Sequence, residues 1–191
     1  MAIRSFLAFE LPPGVRGAVK EILDDVRDPE LHVKWVKVDS IHLTVVFIGN
    51  IRQEEVPEIG EEINGVCEEY GPFSLSLKGL GVFPNPKRPR VVWVGLDGET
   101  GRMGSLRDDL QGRLKPFGLK EDKKVFRPHL TLGRFRRPER RDSPLNDMIS
   151  RYEDFRGPDF SLHELVFFKS ELKRDGAVYT RLGTYGLKGK K

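Results

Sequence analysis

Apolar and polar residues alternate along this chain in patterns that predict both strands and amphipathic helices. Runs rich in β-branched and aromatic residues predict strands at 4–10, 33–38, 41–48, 73–80, 90–96, 124–135, 160–169 and 177–185. Apolar residues at helical spacing predict helices at 15–27, 54–69, 101–114 and 144–152. Ser143 is the expected N-cap of the last helix, and Asp175-Gly176 predicts a hairpin turn. We therefore expect an α+β fold.

The order strand–helix–strand occurs twice along the chain. The two units comprise the predicted elements 4–10, 15–27 and 41–48, and then 90–96, 101–114 and 124–135. This repeat supports two lobes related by a pseudo-twofold axis, with a cleft between them. We expect the segment 33–38 to pair with 41–48, and the tail 187–191 to be frayed.

Two of the four histidines occur in the same local pattern, histidine–apolar–threonine–apolar. The copies are His42-Leu43-Thr44-Val45 and His129-Leu130-Thr131-Leu132. Chance would produce such a pair in roughly one in 10,000 chains of this composition. Because side chains alternate between the faces of a strand, the histidine and threonine of each copy share one face. Each motif therefore presents an imidazole beside a hydroxyl on an open face, with its apolar residues in the core.

The two motifs carry the groups needed for acid–base chemistry on a phosphate. One imidazole can take a proton from water while the other gives one to a leaving group, so we expect His42 and His129 to be the catalytic base and acid, in either order. Thr44 and Thr131 are expected to donate hydrogen bonds to phosphate oxygens. Two histidines without a third ligand at suitable spacing fall short of a catalytic zinc site, so we expect no metal and no cofactor.

The chain is similar to the 2H phosphoesterase superfamily, which has two His-x-Thr-x motifs. Within that superfamily it resembles the RNA 2′,3′-cyclic phosphodiesterases, historically called 2′-5′ RNA ligases. Besides the motifs, the resemblance is carried by 4–12, Trp35-Val36, Gly81-Val82-Phe83-Pro84, Arg90-Val91-Val92-Trp93 and Phe126-Arg127-Pro128. It thus covers most of the chain.

The resemblance implies a bilobal, pseudo-twofold fold of two mainly antiparallel sheets with outer helices around a central cleft. It implies a single domain over residues 1–191, with two intertwined lobes that exchange strands. The implied reaction is hydrolysis of RNA 2′,3′-cyclic phosphate ends to 2′-phosphate ends, and microscopic reversibility leaves 2′-5′ ligation open. Two alternatives also stay open. One is a phosphodiesterase for small cyclic nucleotides such as ADP-ribose 1″,2″-cyclic phosphate, and the other is a non-catalytic module that binds RNA ends.

Two arginines near the second motif are candidates for binding phosphate. Arg134 lies directly beyond the motif, but strict alternation from Thr131 turns it to the opposite face unless a bulge at Gly133 redirects it. Arg127 lies two residues before His129 and is expected to share its face.

Three aromatic residues are candidates for stacking on a nucleobase. Phe83, beside a proline-rich loop, is the strongest candidate. Phe47 is at an odd spacing from His42, which predicts that it faces inward. Trp35, ahead of the first motif, is the third candidate.

Composition and charge favour a globular protein that acts on a polyanion. The chain has 32% charged residues and a formal net charge of +4. Basic residues cluster beside the predicted site, at Lys87, Arg88, Arg90, Arg134, Arg136, Arg137, Arg140 and Arg141. Such a surface suits RNA, and tRNA fragments are among the substrates to consider.

No apolar run is long enough to cross a membrane, and charged residues interrupt the N-terminal apolar segment, so we expect neither a membrane span nor a signal peptide. The lone Cys67 excludes an internal disulfide and is expected to be structural. Together these features predict a cytoplasmic protein, and we expect it to be monomeric.

Overall fold

The computed structural model describes residues 2–136, 144–173 and 176–191. Its strands are β1 (Ala2–Glu10), β2 (Val33–Trp35), β3 (His42–Arg52), β4 (Phe73–Phe83), β5 (Val91–Gly98), β6 (His129–Phe135), β7 (Arg156–Leu162), β8 (Glu164–Lys173) and β9 (Gly176–Gly186). Its helices are α1 (Pro13–Val26), α2 (Val56–Cys67), α3 (Thr100–Leu114) and α4 (Leu145–Arg151). The predicted α+β class is confirmed. Five residues singled out in the sequence lie outside the described residues: Arg137, Arg140, Arg141, Ser143 and Asp175.

Within the described residues, the nine strands form one antiparallel sheet. Its order is β7-β4-β5-β6-β3-β1-β8-β9, and β2 pairs with β6. The two motif strands, β3 and β6, meet in the middle of this order through a single residue pair, Leu43 opposite Leu130. The two sheets expected from the resemblance are therefore two halves of one continuous sheet, because the motif strands pair across the junction.

The two halves have equivalent strand orders, β3-β1-β8-β9 and β6-β5-β4-β7. In each half the motif strand pairs with the strand that precedes the helix of its unit, β1 with β3 and β5 with β6. One half contains the consecutive strands β4 to β7, and the other combines β1 and β3 with the C-terminal strands β8 and β9. This order agrees with the pseudo-twofold arrangement predicted from the repeated units.

Several of the predicted strands differ from the structure in their bounds or continuity, and the segment 33–38 is a strand only over Val33–Trp35. The predicted strand 160–169 is wrong, because the chain leaves the sheet at His163 and continues in the other half: β7 pairs with β4, whereas β8 pairs with β1. The predicted strand 124–135 begins only at His129. The Leu187 amide donates a hydrogen bond to the His163 carbonyl, which satisfies the backbone at the break.

The segment before the first motif pairs with the opposite motif strand. β2 runs antiparallel to β6, with Val33 opposite Phe135 and Trp35 opposite Gly133. The expected pairing of 33–38 with 41–48 is therefore wrong. Gly133 makes this approach possible, because a Cβ atom there would lie 2.3 Å from the Val33 Cγ1 atom.

The main core lies on one face of the sheet, under the helices. Leu43 and Leu130 are fully buried in it, together with the apolar stripe of α1: Val15, Val19, Ile22, Leu23 and Val26. Each such side chain contributes about 1.5–3 kcal/mol relative to an exposed one. Cys67 is also buried there, and burial raises the pKa of its thiol to about 12, in keeping with a structural role. A second apolar cluster, comprising Phe6, Ala8, Val166 and Phe168, forms separately from the main core.

The C-terminal tail is anchored, and the expectation that it is frayed is wrong. The Gly189 amide donates to the Tyr70 carbonyl, and the Lys191 amide donates to the Glu69 carbonyl. The Lys191 ammonium group also lies 2.6 Å from a carboxylate oxygen of Asp109. No helix in the described part of the chain is long and apolar enough to cross a membrane.

Candidate active site

The two motifs come together at the junction between the halves of the sheet. The pair of Leu43 with Leu130 sets the register, so His42 stands across from Thr131 and Thr44 stands across from His129. The four side chains are partly exposed, whereas both leucines are fully buried. The structure thus brings two imidazoles and two hydroxyls to one face, as alternation within each motif predicts.

Both imidazoles are held in the same way. Nδ1 of His42 lies 2.9 Å from the Ser40 carbonyl oxygen, and Nδ1 of His129 lies 2.7 Å from the Arg127 carbonyl oxygen. A carbonyl oxygen can only accept a hydrogen bond, so Nδ1 carries the proton in each case. When neutral, each ring therefore has an unprotonated Nε2 that can accept a proton, and when charged it can donate one from the same atom.

Aromatic rings pack around each histidine. The Phe6 and Tyr179 ring centroids each lie 5.0 Å from that of His42. On the other side, the Phe83 ring centroid lies 4.9 Å from that of His129 and that of Trp93 lies 6.2 Å from it. This packing removes water from the imidazoles and restricts their orientation.

Burial is the main cause of the altered pKa at both histidines. It lowers the pKa of His42 and of His129, because a charged imidazole loses hydration in this setting. The hydrogen bonds to Ser40 and Arg127 oppose this by raising each pKa, and the positive charge of Arg134 lowers both. The same guanidinium therefore acts on both histidines, which agrees with the strand register that puts them on one face.

Arg134 reaches this face because β6 contains a bulge. Thr131 pairs with Trp93, and Arg134 pairs with Val91, so three steps along β6 match two steps along β5. Val91 and Trp93 share a face, and their partners therefore share one as well. The extra residue lies at Leu132-Gly133, which is where the sequence required a bulge if Arg134 was to share a face with His129 and Thr131.

A second bulge turns Phe47 toward the same face. Thr44 pairs with Ala8, and Phe47 pairs with Phe6, so three steps along β3 again match two steps along β1. Phe47 is 62% exposed, and its ring centroid lies 6.1 Å from that of Phe6. The expectation that Phe47 faces inward is therefore wrong, because the extra residue, Val45, resets the alternation.

The two bulges occupy equivalent places in the motifs. Phe47 lies five residues after His42, and Arg134 lies five residues after His129. The pseudo-twofold site is thus asymmetric at one position, with an exposed aromatic ring in one half and a cation in the other.

The remaining predicted site residues differ in where they lie. Phe83 contacts His129 and is half-buried at the site. Trp35 packs partly buried against the main core, and the structure does not bring it to the site. Arg127 precedes β6, so the alternation of side chains within a strand does not assign it to a face. Its carbonyl oxygen accepts the hydrogen bond from His129.

Four groups near the histidines were not predicted from the sequence. Tyr179 contacts the His42 ring from β9, and Trp93 lies beside His129. Glu10 stands opposite His42 on β1 and pairs with Arg181. The resemblance included Trp93 and Glu10, but Tyr179 and Arg181 had no local signal because β9 reaches the site only through long-range pairing.

Exposed cations extend from the site along the edge formed by β2 and β6. Lys34 is directly opposite Arg134, and the Arg136 amide bonds to the His32 carbonyl just beyond that pair. The carbonyl of Arg90 accepts from Phe135 at the same end. Over the ranges that the structure describes, no group of three or more His, Cys, Asp or Glu side chains is suited to hold a metal ion.

Comparison with known proteins identifies relatives over nearly the whole chain. The family described as the 2′-5′ RNA ligase superfamily matches residues 12–174. A Methanothermobacter thermautotrophicus protein named RNA 2′,3′-cyclic phosphodiesterase is 31% identical over 188 residues, covering 98% of this chain and 100% of its own. An Archaeoglobus fulgidus protein of the same name is 31% identical over 183 residues, covering 96% and 99%.

Solved structures share this architecture. The crystal structure of TT0787 from Thermus thermophilus has a TM-score of 0.82 and 29% identity, covering 99% of this chain and 100% of its own. That of E. coli LigT complexed with 3′-AMP has a TM-score of 0.78 at 22% identity, covering 98% and 99%. The second likeness concerns the fold alone.

Proposed function

Because the chain belongs to the 2′-5′ RNA ligase superfamily, we propose that it hydrolyses 2′,3′-cyclic phosphate ends of RNA to 2′-phosphate ends. The observation that carries this proposal is the matched anchoring of two imidazoles. Nδ1 of His42 and of His129 bonds to a backbone carbonyl, which leaves both Nε2 atoms for the substrate. The relatives named RNA 2′,3′-cyclic phosphodiesterase support the same reaction.

A pseudo-twofold pair of histidines suits in-line displacement at phosphorus. The attacking and leaving oxygens lie on opposite sides of the phosphorus, so a base and an acid are needed on opposite sides. One Nε2 atom takes a proton from water as the water oxygen bonds to phosphorus. The bond from phosphorus to the ribose 3′ oxygen breaks, and the other Nε2 atom protonates that oxygen. The phosphate remains on the 2′ oxygen.

Glu10 supports an assignment of the two roles. It is opposite His42 across the β1–β3 pair, and its negative charge raises the pKa of that imidazole, whereas no carboxylate acts in this way on His129 among the described residues. His42 is therefore the proposed acid, and His129 is the proposed base. The pairing of Glu10 with Arg181 weakens this effect.

Three polar side chains are available for the phosphate oxygens. Thr44 and Thr131 are proposed to donate hydrogen bonds to the two non-bridging oxygens as negative charge builds on them. Arg134 is proposed to add a charge-assisted hydrogen bond, and its effect on the pKa of both histidines supports this position.

In this proposal, the position five residues after each motif histidine orients the substrate, because it holds Phe47 in one half and Arg134 in the other. The exposed Phe47 ring offers a surface for the terminal nucleobase, and Arg134 offers a cation for the phosphate. Phe83 is half-buried against His129, so it is better suited to hold that imidazole than to stack on a base.

The exposed cations beside the site favour RNA over a small cyclic nucleotide. Lys34, Arg134 and Arg136 make no ion pair with the described residues, so their charge is available to a polyanion. Ligation is the same reaction with a ribose 5′-hydroxyl in place of water, and hydrolysis is expected to dominate unless RNA ends are held together. A monomeric state and a cytoplasmic location stay predictions.

The test is to incubate the protein with EDTA and an oligoribonucleotide that ends in a 2′,3′-cyclic phosphate, and to identify the product. A 2′-phosphate end is the expected product. An intact end would refute cyclic phosphodiesterase activity, and a 3′-phosphate end would refute the choice of leaving oxygen. Activity restored only by an added metal would refute the two-histidine mechanism.

Two variants and one control connect this activity to the site. His42→Ala and His129→Ala should each lower the rate by about 10²–10⁴-fold, because each removes a proton-transfer group. His163→Ala is the matched control, since His163 is exposed outside both motifs. Circular dichroism should be the same for all of these proteins.

A further inference from the structure

Arg4 is an exposed cation on β1 without a carboxylate partner among the described residues. Many of the arginines elsewhere form ion pairs, as Arg52 does with Glu55 and Arg113 with Glu62. An unpaired guanidinium is available to bind an anion, provided that it faces a site.

Strand register puts Arg4 on the face that carries the motifs. Arg4 is opposite Ser170 on β8, which is opposite Tyr179 on β9, so the three side chains share one face. Phe6 follows two residues later on the same face of β1, and its ring packs against His42. Arg4 is therefore on the same side of the sheet as the proposed acid.

Tyr179 connects Arg4 to the catalytic face. Its ring packs edge-on against His42, with centroids 5.0 Å apart, and its hydroxyl makes no hydrogen bond with the described residues. Burial raises the pKa of Tyr179, and the charges of Arg134 and Arg4 both lower it. Such effects require nearby charges, so both guanidiniums lie close enough to act on this hydroxyl.

This arrangement contains more anion-binding groups than one phosphate uses. A 2′,3′-cyclic phosphate carries one negative charge, and Thr44, Thr131 and Arg134 are already available for its oxygens. Arg4 and the Tyr179 hydroxyl form a second group of donors beside the first. An RNA end carries a second phosphate one nucleotide away, on the 5′ side of the terminal ribose, whereas a cyclic mononucleotide has none.

We infer that Arg4 and Tyr179 bind the phosphodiester on the 5′ side of the terminal nucleotide, and that they make the enzyme selective for RNA ends over cyclic mononucleotides. This inference rests on the proposed function and adds a second phosphate subsite to it. Arg4 supplies the charge, and Tyr179 supplies a hydroxyl donor while its ring packs against His42.

The test compares three substrates that share one scissile group. They are a 2′,3′-cyclic mononucleotide with a free 5′-hydroxyl, a dinucleotide with the same cyclic end, and that dinucleotide with an uncharged methylphosphonate linkage. Wild-type kcat/KM should be about tenfold higher for the charged dinucleotide than for either of the others, which is the usual effect of one charge-assisted hydrogen bond. Equal values for the charged and uncharged dinucleotides would overturn the inference.

Two variants assign this preference to residues. In Arg4→Gln the ratio of kcat/KM between charged and uncharged dinucleotides should fall toward one, and in Tyr179→Phe it should fall a fewfold. Arg113→Gln is the matched control, because Arg113 is an exposed, ion-paired arginine on α3, and it should keep the wild-type ratio. If Arg4→Gln keeps the wild-type ratio, the inference is overturned. If Tyr179→Phe keeps the wild-type ratio, the role assigned to Tyr179 is overturned.

The outcomes also separate this inference from the proposed function. If the wild-type protein cleaves none of the three substrates, the proposed function fails. If it cleaves all three without regard to the linkage charge, the proposed function stands and only the second subsite fails.

Discussion

Replacement of Arg134 by glutamine tests both the bulge in β6 and the electrostatics of the site. Arg134 reaches the face that carries the motifs only because three steps along β6 match two steps along β5. Its charge lowers the pKa of both His42 and His129. Arg134→Gln should therefore weaken phosphate binding and alter the pH dependence in one variant.

The expected magnitude follows from the position of the side chain. Arg134 is exposed and has no ion pair with the described residues, so its replacement should change the free energy of unfolding by less than about 0.5 kcal/mol. A hydrogen bond from a guanidinium to phosphate contributes about 1.5–3 kcal/mol, and solvent exposure favours the lower end. We expect kcat/KM to fall by about tenfold to thirtyfold.

The direction of the pH shift is a separate prediction. The acidic limb of the kcat/KM profile reports the base losing its proton, and the alkaline limb reports the acid losing its proton. Loss of the Arg134 charge raises the pKa of both imidazoles, so both limbs should move to higher pH. Arg134→Lys keeps a positive charge and should keep the limbs near their wild-type positions, while it loses the planar array of guanidinium donors.

The assay is kcat/KM for a cyclic-phosphate dinucleotide, measured across the pH range in which histidine titrates, with Arg136→Gln as the control. Arg136 is an exposed cation just beyond the same strand. An Arg134→Gln profile with unmoved limbs would refute the electrostatic reasoning. Equal losses in Arg134→Gln and Arg136→Gln would mean that general surface charge, rather than this position, binds the phosphate.

Three other parts of the structure give further predictions. Glu10→Gln should move the alkaline limb of kcat/KM to lower pH, because loss of the carboxylate lowers the pKa of His42. Arg181→Gln should move that limb to higher pH, because it frees the Glu10 carboxylate from its ion pair. Shifts of the same sign in the two variants would contradict the assignment of His42 as the acid. Phe47→Ala should raise KM for a cyclic-phosphate dinucleotide by about fivefold to a hundredfold through lost stacking, with unchanged Tm, and an unchanged KM would exclude base stacking there. A chain that ends at Leu187 loses the hydrogen bonds of the tail, so its Tm should fall by about 3–8 °C in calorimetry. An unchanged Tm would show that the tail does not stabilise the fold.

The local sequence was sufficient to predict which face of its strand each side chain of the two motifs occupies. Alternation within a strand is a property of a few consecutive residues, so His42 and Thr44 could be assigned to one face and Leu43 to the other before any partner strand was known. The amphipathic stripe of α1 was predictable for the same reason, since its period depends only on helix geometry.

Other features depended on which strands pair. Strict alternation predicted that Phe47 faces inward and could not assign a face to Arg134. Both residues follow a bulge, and a bulge is defined by a mismatch with the neighbouring strand. The pairing of β2 with β6, rather than with the adjacent β3, depended on the space above Gly133. Tyr179 reaches His42 from the far end of the chain, through β9 and β8.

The faces of the histidine and threonine side chains in the two motif strands could therefore be assigned from the sequence alone, because alternation within a strand needs no partner strand. The residues that surround those side chains became known only from the folded chain: Phe47, Arg134, Glu10 and Tyr179. The direction of a side chain beyond a bulge, and the approach of a distant strand, are set by packing and hydrogen bonding between segments far apart in the chain. No short pattern of residues specifies those partners.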